Sequence, residues 1–401
     1  MKKIIMHIDV NNAFLSWSAV LKLKQGSKTD LRKQFAVIGG DEKTRTGIVL
    51  AKSPLAKKLG IKTADTLYSA RKKCRNLIIV PPDYYWYQKM SNKLFKLVSN
   101  YTPDIEVMSI DECFIDYTPI KHLYGEPYQF ALKLQKEIYD KLGFTVNIGI
   151  ANSKLCAKMA SDFSKPNKIH TLYEEEVKEK MWPLKVGDLF GIGKSNSVKL
   201  QKLDILTIGD LATTDINFLQ KHFKNQADRM IKWANGIDDS RVIAENSERK
   251  GIGISRTLPH NLIYKEQVFP ILEAMSDSLG LDLRKREKYT SVIAVTLKDK
   301  YFKTYSHQRK LKNATDSTSD ISKVAKELFL EMWDLEPIRL VGIRLDDLSS
   351  NPSYQLSLFE SIEKKEGNQK LDKTIDKLKD KYGPKIINKA SLVDNKYKKR
   401  Y

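Results

Sequence analysis

The chain has 401 residues, enough for about two to four domains. Hydrophobic residues make up 41% of the sequence and charged residues 30%, which excludes a collagen-like or globally disordered chain. Lysine and arginine number 70 against 49 aspartate and glutamate residues, and the resulting net charge of +21 favours a polyanionic partner over a surface that is merely basic.

Membrane and secretory signals are missing from the pattern. No apolar run approaches the ~18 residues that cross a bilayer, and the short N-terminal run is broken by His7 and Asp9. The cysteines at 74, 113 and 156 are far apart and lack the spacing of zinc ligands. We therefore expect no membrane contact, no disulfide scaffold and a cytoplasmic location.

The first third of the chain alternates short apolar strands with helical patterns. Strands are predicted over residues 4–10, 35–38, 47–51 and 145–150, with two more meeting at a turn within 105–117. Helices are predicted from Ser53-Pro54 to Gly60 and over residues 86–98, 130–142 and 154–163. Interleaved strands and helices indicate an α/β or α+β core.

The remainder divides by composition. Residues 174–243 read as helices with short connections, and residues 248–253 as a charged linker containing glycine. Strands return over 254–348, with a long alternating stretch at 289–304, a helix at 321–332 and a strand at 338–345. After Asn351-Pro352 the chain is rich in lysine, with one helix predicted over 371–382.

Acidic residues stand in or directly after two of these apolar strands. Asp9 ends the first strand, and Asp111 and Glu112 follow the apolar run that begins at Ile105. A charged group in an apolar sheet is costly unless it is paired or binds a metal ion. Converging carboxylates suit Mg²⁺, and two such ions about 4 Å apart can activate a hydroxyl and stabilise a leaving pyrophosphate. The alternative, in which Asp9 caps a loop and the other two acids form a turn, stays open here.

With its flanking motifs, the chain resembles the Y-family, or lesion-bypass, DNA polymerases of the bacterial polymerase IV and V type. The motifs that carry the resemblance are His-Ile-Asp-Val-Asn-Asn-Ala-Phe at 7–14, Ser-Ile-Asp-Glu at 109–112, Gly-Ile-Ala-Asn-Ser-Lys at 149–154 and Lys-Pro-Asn at 165–167. The resemblance implies an α+β multidomain fold shaped like a right hand. Its expected parts are a ferredoxin-like palm (1–12 and 83–172), small fingers (13–82), a helical thumb (173–243), an α/β little finger (249–348) and a tail (349–401).

The resemblance also assigns the catalytic residues. Asp9, Asp111 and Glu112 would be the catalytic acids that bind two Mg²⁺ ions, with the backbone carbonyl of Val10 as a further ligand. Phe14 matches the aromatic residue that lies under the sugar of the incoming nucleotide. A rigid ring there leaves no room for a ribose 2′-OH, so Phe14 would act as a steric gate.

The expected triphosphate contacts depart from the polymerase IV pattern and look more like the polymerase V branch. Pro54 stands where the family has a tyrosine, and Lys57 stands where it has an arginine. Lys57 offers a point charge without the bidentate fork of arginine. Ser53 is expected to supply the missing hydroxyl contact, and Lys165 matches the second cation of the triphosphate site.

Two segments are predicted to hold DNA. Gly191-Ile192-Gly193, followed by Lys194, looks like a helix-hairpin-helix that binds a phosphate at a helix N-terminus, although an ordinary turn between helices is the alternative. Between residues 281 and 312, ten basic residues outnumber three acidic ones, as in the little finger of the family. The residues expected to contact DNA there are Arg284, Lys298, Lys300 and Lys303. Lys298, Lys300 and, with a bend, Lys303 can share one face of a strand.

The peptide Gln355-Leu356-Ser357-Leu358-Phe359 matches the segment by which bacterial polymerases bind the sliding clamp. Gln355 would hydrogen-bond the pocket, and Leu356, Leu358 and Phe359 would fill apolar sites. Three buried side chains leave roughly 6 kcal/mol after the ordering cost, which corresponds to micromolar-to-millimolar binding. The alternative is a hydrophobic helix start that packs on the little finger.

Taken together, the resemblance implies a monomeric, template-directed DNA polymerase for translesion synthesis in DNA repair and the response to DNA damage. Its substrates would be primer-template DNA and a dNTP, with transfer from the primer 3′-OH to the nucleotide and release of pyrophosphate. Two alternatives remain at this point: a non-catalytic relative that binds DNA and the clamp, and a nucleotide cyclase built on a palm of the same type.

Overall fold

The computed structural model describes residues 2–42, 45, 47–244, 249–350, 362–383 and 386–387. The chain forms two compact units, the first of residues 1–40 and 47–246 and the second of residues 41–46 and 247–401. Both units combine sheets with helices, which confirms the predicted α+β multidomain fold.

Strands and helices of the first unit are numbered along the chain. The strands are β1 (Ile5–Val10), β2 (Ala36–Gly39), β3 (Val49–Lys52), β4 (Ile78–Val80), β5 (Ile105–Val107), β6 (Glu112–Asp116), β7 (Val146–Ala151) and β8 (Ile169–Leu172). The α-helices are α1 (Ala13–Lys24), α2 (Pro54–Lys58), α3 (Leu67–Lys73), α4 (Tyr84–Ser99), α5 (Lys121–Tyr124), α6 (Pro127–Leu142), α7 (Lys154–Asp162), α8 (Lys194–Gln201), α9 (Ile208–Thr213), α10 (Ile216–Phe223) and α11 (Gln226–Ala234).

The central sheet of the first unit has the order β5-β6-β1-β7-β8, and β1 runs antiparallel to both of its neighbours. Alternate residues of β1 point to opposite faces of the sheet. Met6, Ile8 and Val10 enter the core that is shared with α4 and α6. The opposite face is covered by α7, which packs so closely that a Cβ at Gly149 would lie 2.0 Å from the carbonyl oxygen of Ala157.

A smaller sheet of order β3-β2-β4 packs with α2 and α3 around its own apolar core. Ser53 begins α2, and its hydroxyl accepts hydrogen bonds from the backbone N–H groups of Ala56 and Ala36, at 3.1 and 3.2 Å. Beyond β8 the chain is helical from α8 to α11, as the sequence predicts, and these helices bury one apolar side each.

In the second unit the elements are β9 (Gly251–Leu262), α12 (Lys265–Lys285), β10 (Tyr289–Asp299), β11 (Thr304–Thr315), α13 (Thr318–Met332), β12 (Ile338–Ser349) and α14 (Ile362–Tyr382). The strands form an antiparallel sheet of order β11-β10-β12-β9. Helices α12 and α13 cover one face of this sheet and share its core.

Two expectations for this unit were wrong. The helix α12 was not predicted, because Pro270 and Gly280 within it weaken the helical pattern. Gly280 allows close packing on the start of α13, since a Cβ there would lie 2.8 Å from the Thr318 hydroxyl. The stretch 289–304 is also broken after β10, because the buried carboxylate of Asp299 accepts hydrogen bonds from the backbone N–H groups of Tyr301 and Lys303 and so forms a turn.

The last described helix, α14, is longer than predicted and lies against α12. Arg284 of α12 is largely buried, and its Nε is 2.5 Å from Asp376 Oδ2 while its Nη1 is 3.3 Å from Asp372 Oδ2. Lys379 of α14 is buried as well and pairs with Asp277 of α12 at 2.9 Å. Paired charges therefore hold α14 against the helical layer of this unit.

Candidate active site

The end of β1 brings two of the predicted acids together. The register of β1 and β6 places Asp9 directly opposite Glu112, and the backbone N–H of Val10 donates to the carbonyl oxygen of Asp111 at 3.0 Å. Asp9 and Glu112 both point to the face of the sheet that α7 covers. Their carboxylates are mostly buried, with 13% and 16% of each side chain exposed. Two negative groups thus lie side by side at the edge of a protein core.

Two lysines compensate this charge. Lys158 Nζ, on α7, lies 2.5 Å from Glu112 Oε2 and 3.5 Å from Asp9 Oδ2. Lys165 Nζ lies 3.0 Å from Asp9 Oδ2. The structure therefore places Lys165, the predicted second cation of the triphosphate site, beside Asp9, and it adds Lys158, which the sequence did not indicate.

His7 lies beneath this pair, fully buried on β1. Its Nε2 is 3.3 Å from Glu112 Oε2 without the angle of a hydrogen bond, and this nitrogen has no hydrogen-bond partner among the described residues. Its Nδ1 contacts the Ser161 hydroxyl at 2.8 Å. Burial lowers the pKa of His7, so the ring is neutral at pH 7. The alternation that puts His7 and Asp9 on the same face could have identified it from the sequence.

The ionisation of the acids follows from these contacts. The Lys158 ammonium, 2.5 Å from Glu112 Oε2, holds the pKa of Glu112 low, at about 2, although burial acts in the opposite direction. Burial raises the pKa of Asp111, and the nearby charges of Asp9 and Glu112 raise it further. Asp111 is turned toward Ser109, whose hydroxyl donates to Asp111 Oδ1 at 2.7 Å.

The donor atoms present here fit a divalent cation. Within the described part of the chain, ligand atoms of His7, Asp9 and Glu112 lie within 4.8 Å of one another. Carboxylate oxygens are the ligands of Mg²⁺ and Mn²⁺. His7 Nε2, which has no hydrogen-bond partner among the described residues, is a further candidate metal ligand. Asp111 is not part of this group, because its carboxylate accepts the hydrogen bond from Ser109.

Buried asparagines fix the loop that carries Lys165. The backbone N–H of Asn167 donates to Asn11 Oδ1 at 2.8 Å, and the Asn11 amide donates to Asn147 Oδ1 at 3.0 Å. Asn147 also accepts from the backbone N–H of Lys168 at 3.1 Å and donates to the carbonyl of Ser161 at 2.9 Å. Asn147 was missed, although a buried polar residue within the apolar strand β7 is the signal that would have indicated it.

Phe14 is the second residue of α1, five residues after Asp9 in sequence. Its ring stacks on Tyr87 at 4.6 Å between centroids and meets Tyr84 edge-on at 6.1 Å. Asn12, at a left-handed φ of 56°, starts the helix, and its side-chain amide donates to the carbonyl of Lys52. The ring of Phe14 is thus held rigidly, and the end of β3 is tied to the turn that follows Asp9.

In the fingers segment, Lys52 and Lys57 lie near each other. Ser53, in contrast, is not placed to make the phosphate contact that was predicted for it. Ser53 is fully buried and its hydroxyl caps α2, so we no longer expect it to contact a phosphate. Lys57 is exposed in the last turn of α2. Lys52, which the sequence did not single out, has a lowered pKa, first because of burial and second because of the charge on Lys57.

The glycines of the predicted hairpin have different roles. Gly191 has a φ of +92°, and a Cβ there would lie 2.3 Å from the Trp233 ring. Gly193 precedes α8 with open space around it, and Lys194 is exposed at the first turn. The element before the hairpin is a single 3-10 turn at Val186–Asp188 in place of the expected α-helix.

In the second unit, the three lysines do not share one strand. Lys298 lies on β10, but Lys300 and Lys303 lie in the turn after it, because Asp299 ends the strand. Lys298 shares the sheet face opposite α12 and α13 with the exposed residues Lys310 and Arg344, as the strand registers show. Among the described residues this face carries three basic side chains, although Arg344, which was not expected there, pairs with Asp346 at 2.8 Å.

Arg284 was expected to contact DNA, and the structure places it elsewhere. Only 8% of its side chain is exposed, and its guanidinium group forms ion pairs with the carboxylates of Asp372 and Asp376. A sequence cannot show that a helix about ninety residues later covers this arginine. Arg284 is accordingly a structural anchor of α14. The predicted clamp peptide, 355–359, lies outside the described residues.

No helix among the described residues is long and apolar enough to span a membrane.

Comparison with known proteins gives consistent matches over nearly the whole chain. Residues 8–162 match the sequence model of the impB/mucB/samB family, and residues 249–358 match the model of its C-terminal domain. A DNA polymerase IV of Clostridium acetobutylicum is 48% identical over 99% of this chain and 100% of its own length. DNA polymerase IV 1 of Bacillus subtilis is 32% identical over 98% of this chain and 93% of its own length.

Solved structures give the same result for the fold. A Y-family DNA polymerase chimera of Dbh and Dpo4 is similar with a TM-score of 0.77, at 27% identity, over 87% of this chain and 100% of its own. An insertion ternary complex of Dbh DNA polymerase is similar with a TM-score of 0.60, at 26% identity, over the same shares of the two chains.

Proposed function

The chain belongs to the impB/mucB/samB family of Y-family polymerases and is a DNA-directed DNA polymerase for translesion synthesis, and from this premise we propose that Asp9, Asp111 and Glu112 are its catalytic acids. The observation that carries the proposal is the pairing of Asp9 with Glu112 across β1 and β6. A lysine side chain forms an ion pair with each of these carboxylates. The resemblance seen in the sequence is confirmed, and neither the non-catalytic relative nor the nucleotide cyclase is favoured.

Membership of the family implies a divalent metal ion, and we assign two Mg²⁺ ions to this site. The ligands would be the carboxylates of Asp9, Asp111 and Glu112 and the backbone carbonyl of Val10. Bound there, the ions would activate the primer 3′-OH and stabilise the pyrophosphate that leaves. The protein contributes the geometry, because the paired strands hold Asp9 and Glu112 adjacent, whereas Asp111 would exchange the Ser109 hydroxyl for the metal ion.

The nucleotide site is assigned to the residues around the same edge of the sheet. Lys165 and Lys57 would contact the triphosphate, and Lys52 joins them, since the Asn12 amide ties its backbone to the turn after Asp9. Lys165 would exchange its contact with Asp9 for a phosphate oxygen. Phe14 would exclude a ribose 2′-OH, because its stacking on Tyr87 prevents the ring from moving aside.

Primer-template DNA would be held by two basic surfaces. In the proposed thumb (173–243), Gly191, Gly193 and Lys194 would bind a backbone phosphate at the start of α8. In the proposed little finger (249–348), the uncovered sheet face with Lys298 and the turn with Lys300 and Lys303 would follow the phosphates. Both contacts are independent of base sequence, and binding should weaken as salt rises.

The remaining assignments come from the tail and from the family. We propose that Gln355, Leu356, Leu358 and Phe359 dock on a sliding clamp, within the tail at 349–401 that follows palm, fingers, thumb and little finger. The polymerase would act as a cytoplasmic monomer. Deleting residues 355–359 should abolish stimulation by the clamp and leave distributive synthesis intact, whereas loss of both would indicate a role in folding.

Primer extension with Mg²⁺ tests the proposal directly. Glu112→Ala should abolish extension and leave the affinity for primer-template DNA unchanged, because the substitution removes a proposed metal ligand and none of the basic residues proposed to contact DNA. Asp140→Asn, an exposed acid on α6, is the matched control and should retain full activity. Extension by Glu112→Ala at the rate of the parent would refute the assignment.

A further inference from the structure

Lys158 occupies a position that the predicted chemistry does not require. Its ammonium group lies between three carboxylates: Glu112 at 2.5 Å, Asp9 at 3.5 Å and Asp162 at 3.6 Å. Only 12% of the side chain is exposed. Although burial acts to lower it, the pKa of Lys158 is raised by contacts with Glu112, Asp162 and Asp9. A charged lysine therefore stands where the two catalytic carboxylates face each other.

Such a cation offsets the repulsion between the two carboxylates when no metal ion is bound. Two adjacent carboxylates in a partly buried position repel each other, and one of them would take up a proton or turn away. Lys158 contacts an oxygen of each carboxylate, at 3.5 Å for Asp9 and 2.5 Å for Glu112, and so offsets their repulsion. Lys165 also reaches Asp9, but 36% of its side chain is exposed and Asp162 is its nearer partner, at 2.8 Å.

The same helix supplies an alternative partner for Lys158. Asp162 lies one turn further along α7, in the i, i+4 relation, and 47% of its side chain is exposed. A lysine has a flexible stem and a compact ammonium group, so a change of rotamer is enough to move the charge from one carboxylate to the next.

We propose that Lys158 is a positioning residue, a resident counter-cation that holds the carboxylates of Asp9 and Glu112 adjacent until they take up divalent cations. Lys158 then releases Glu112 and pairs with Asp162. This inference rests on the proposed metal site. It goes beyond that site because it names Lys158 as the cation that competes with the metal ion and Asp162 as the carboxylate to which Lys158 moves. It implies that Lys158 opposes metal binding while it stabilises the site in the absence of metal.

The chain offers a matched control on the same helix. Lys154 lies one turn before Lys158 on α7 and forms an equally short ion pair with Glu106, at 2.6 Å, with 15% of its side chain exposed. Glu106 is on β5 and is not one of the proposed ligands. Loss of this pair should reduce stability without a change in metal affinity.

The test measures binding of Mn²⁺ to the full chain, from the electron paramagnetic resonance signal of the free ion, together with thermal unfolding in EDTA and in Mn²⁺. Removing a positive charge beside the ligands strengthens their attraction for a cation. Lys158→Met should therefore bind Mn²⁺ more tightly, on the order of tenfold. It should melt at a lower temperature in EDTA and show a larger rise on adding Mn²⁺. Lys158→Arg and Lys154→Met should bind Mn²⁺ like the parent.

Asp162→Asn, at a half-exposed position, provides a second test, in which the expected change in Mn²⁺ affinity has the opposite sign. Without its alternative partner, Lys158 stays on Glu112, so Mn²⁺ binding should weaken several-fold. Unchanged Mn²⁺ affinity in both Lys158→Met and Asp162→Asn, with normal binding by the parent, would overturn the inference. If the parent itself showed no saturable binding of Mn²⁺, the proposed metal site would fail instead, and the inference with it.

Discussion

The buried ion pairs of Arg284 give a prediction whose size follows from the structure. Changing Asp372 and Asp376 together to asparagine removes both of the α14 carboxylates that pair with the guanidinium group. Breaking a buried pair by removing one side costs about 3–5 kcal/mol. Arg284 still donates to the carbonyl oxygen of Asp316 at 2.7 Å, so we expect the lower end of that range.

Thermal unfolding of the full chain measures this effect. In a unit of this size, about 3 kcal/mol corresponds to a fall of roughly 6–12 °C in the melting temperature. Amide exchange should show loss of protection in α14 at the same time. Asp380→Asn is the control, because the pair of Asp380 with Lys285 is more than half exposed on both sides and should contribute less than about 1 kcal/mol. A double variant that melts like Asp380→Asn would refute the reasoning.

Three further predictions concern the gate, the acids and the thumb. Phe14→Ala should incorporate ribonucleotides far better than the parent in single-nucleotide extension, and an unchanged sugar preference would contradict the gate. Because the pKa of Glu112 falls from 4.5 to about 2 on folding, its carboxylate stabilises the fold above pH 4.5 by about 3 kcal/mol, and this is lost as pH falls toward 2. In denaturant titrations, the stability difference between the parent and Glu112→Gln should therefore shrink over that range, and a constant difference would count against it. Gly191→Ala should weaken DNA binding and destabilise the thumb, since φ is +92° and the new Cβ would meet Trp233, whereas Gly193→Ala has open space and should be milder.

The sequence was most informative where local patterns determine the structure. Alternation placed Asp9 at the end of a buried strand, and the Ser-Ile-Asp-Glu motif placed Glu112 on a second strand, so the pairing of the two could be expected. The helix α12 escaped prediction because Pro270 and Gly280 weaken its pattern, while tertiary packing stabilises it.

Contacts between distant segments explain the other differences. Ser53 read as a free hydroxyl, yet it caps α2 and accepts from β2. Arg284 read as one more cation of a basic stretch, yet two acids of α14 surround it. Lys158 could not be singled out among the lysines, because its role depends on α7 packing over the ends of β1 and β6. Side chains whose partners are far along the chain need coordinates before they can be interpreted.

The location of bound metal tests the whole account. Crystals of the protein with primer-template DNA, a non-hydrolysable dNTP and Mn²⁺ would show the ions by anomalous diffraction. We expect peaks about 2.0–2.3 Å from carboxylate oxygens of Asp9, Asp111 and Glu112, with Lys158 turned to Asp162. Manganese bound elsewhere, with these three carboxylates still facing only lysine and serine, would contradict the central claim.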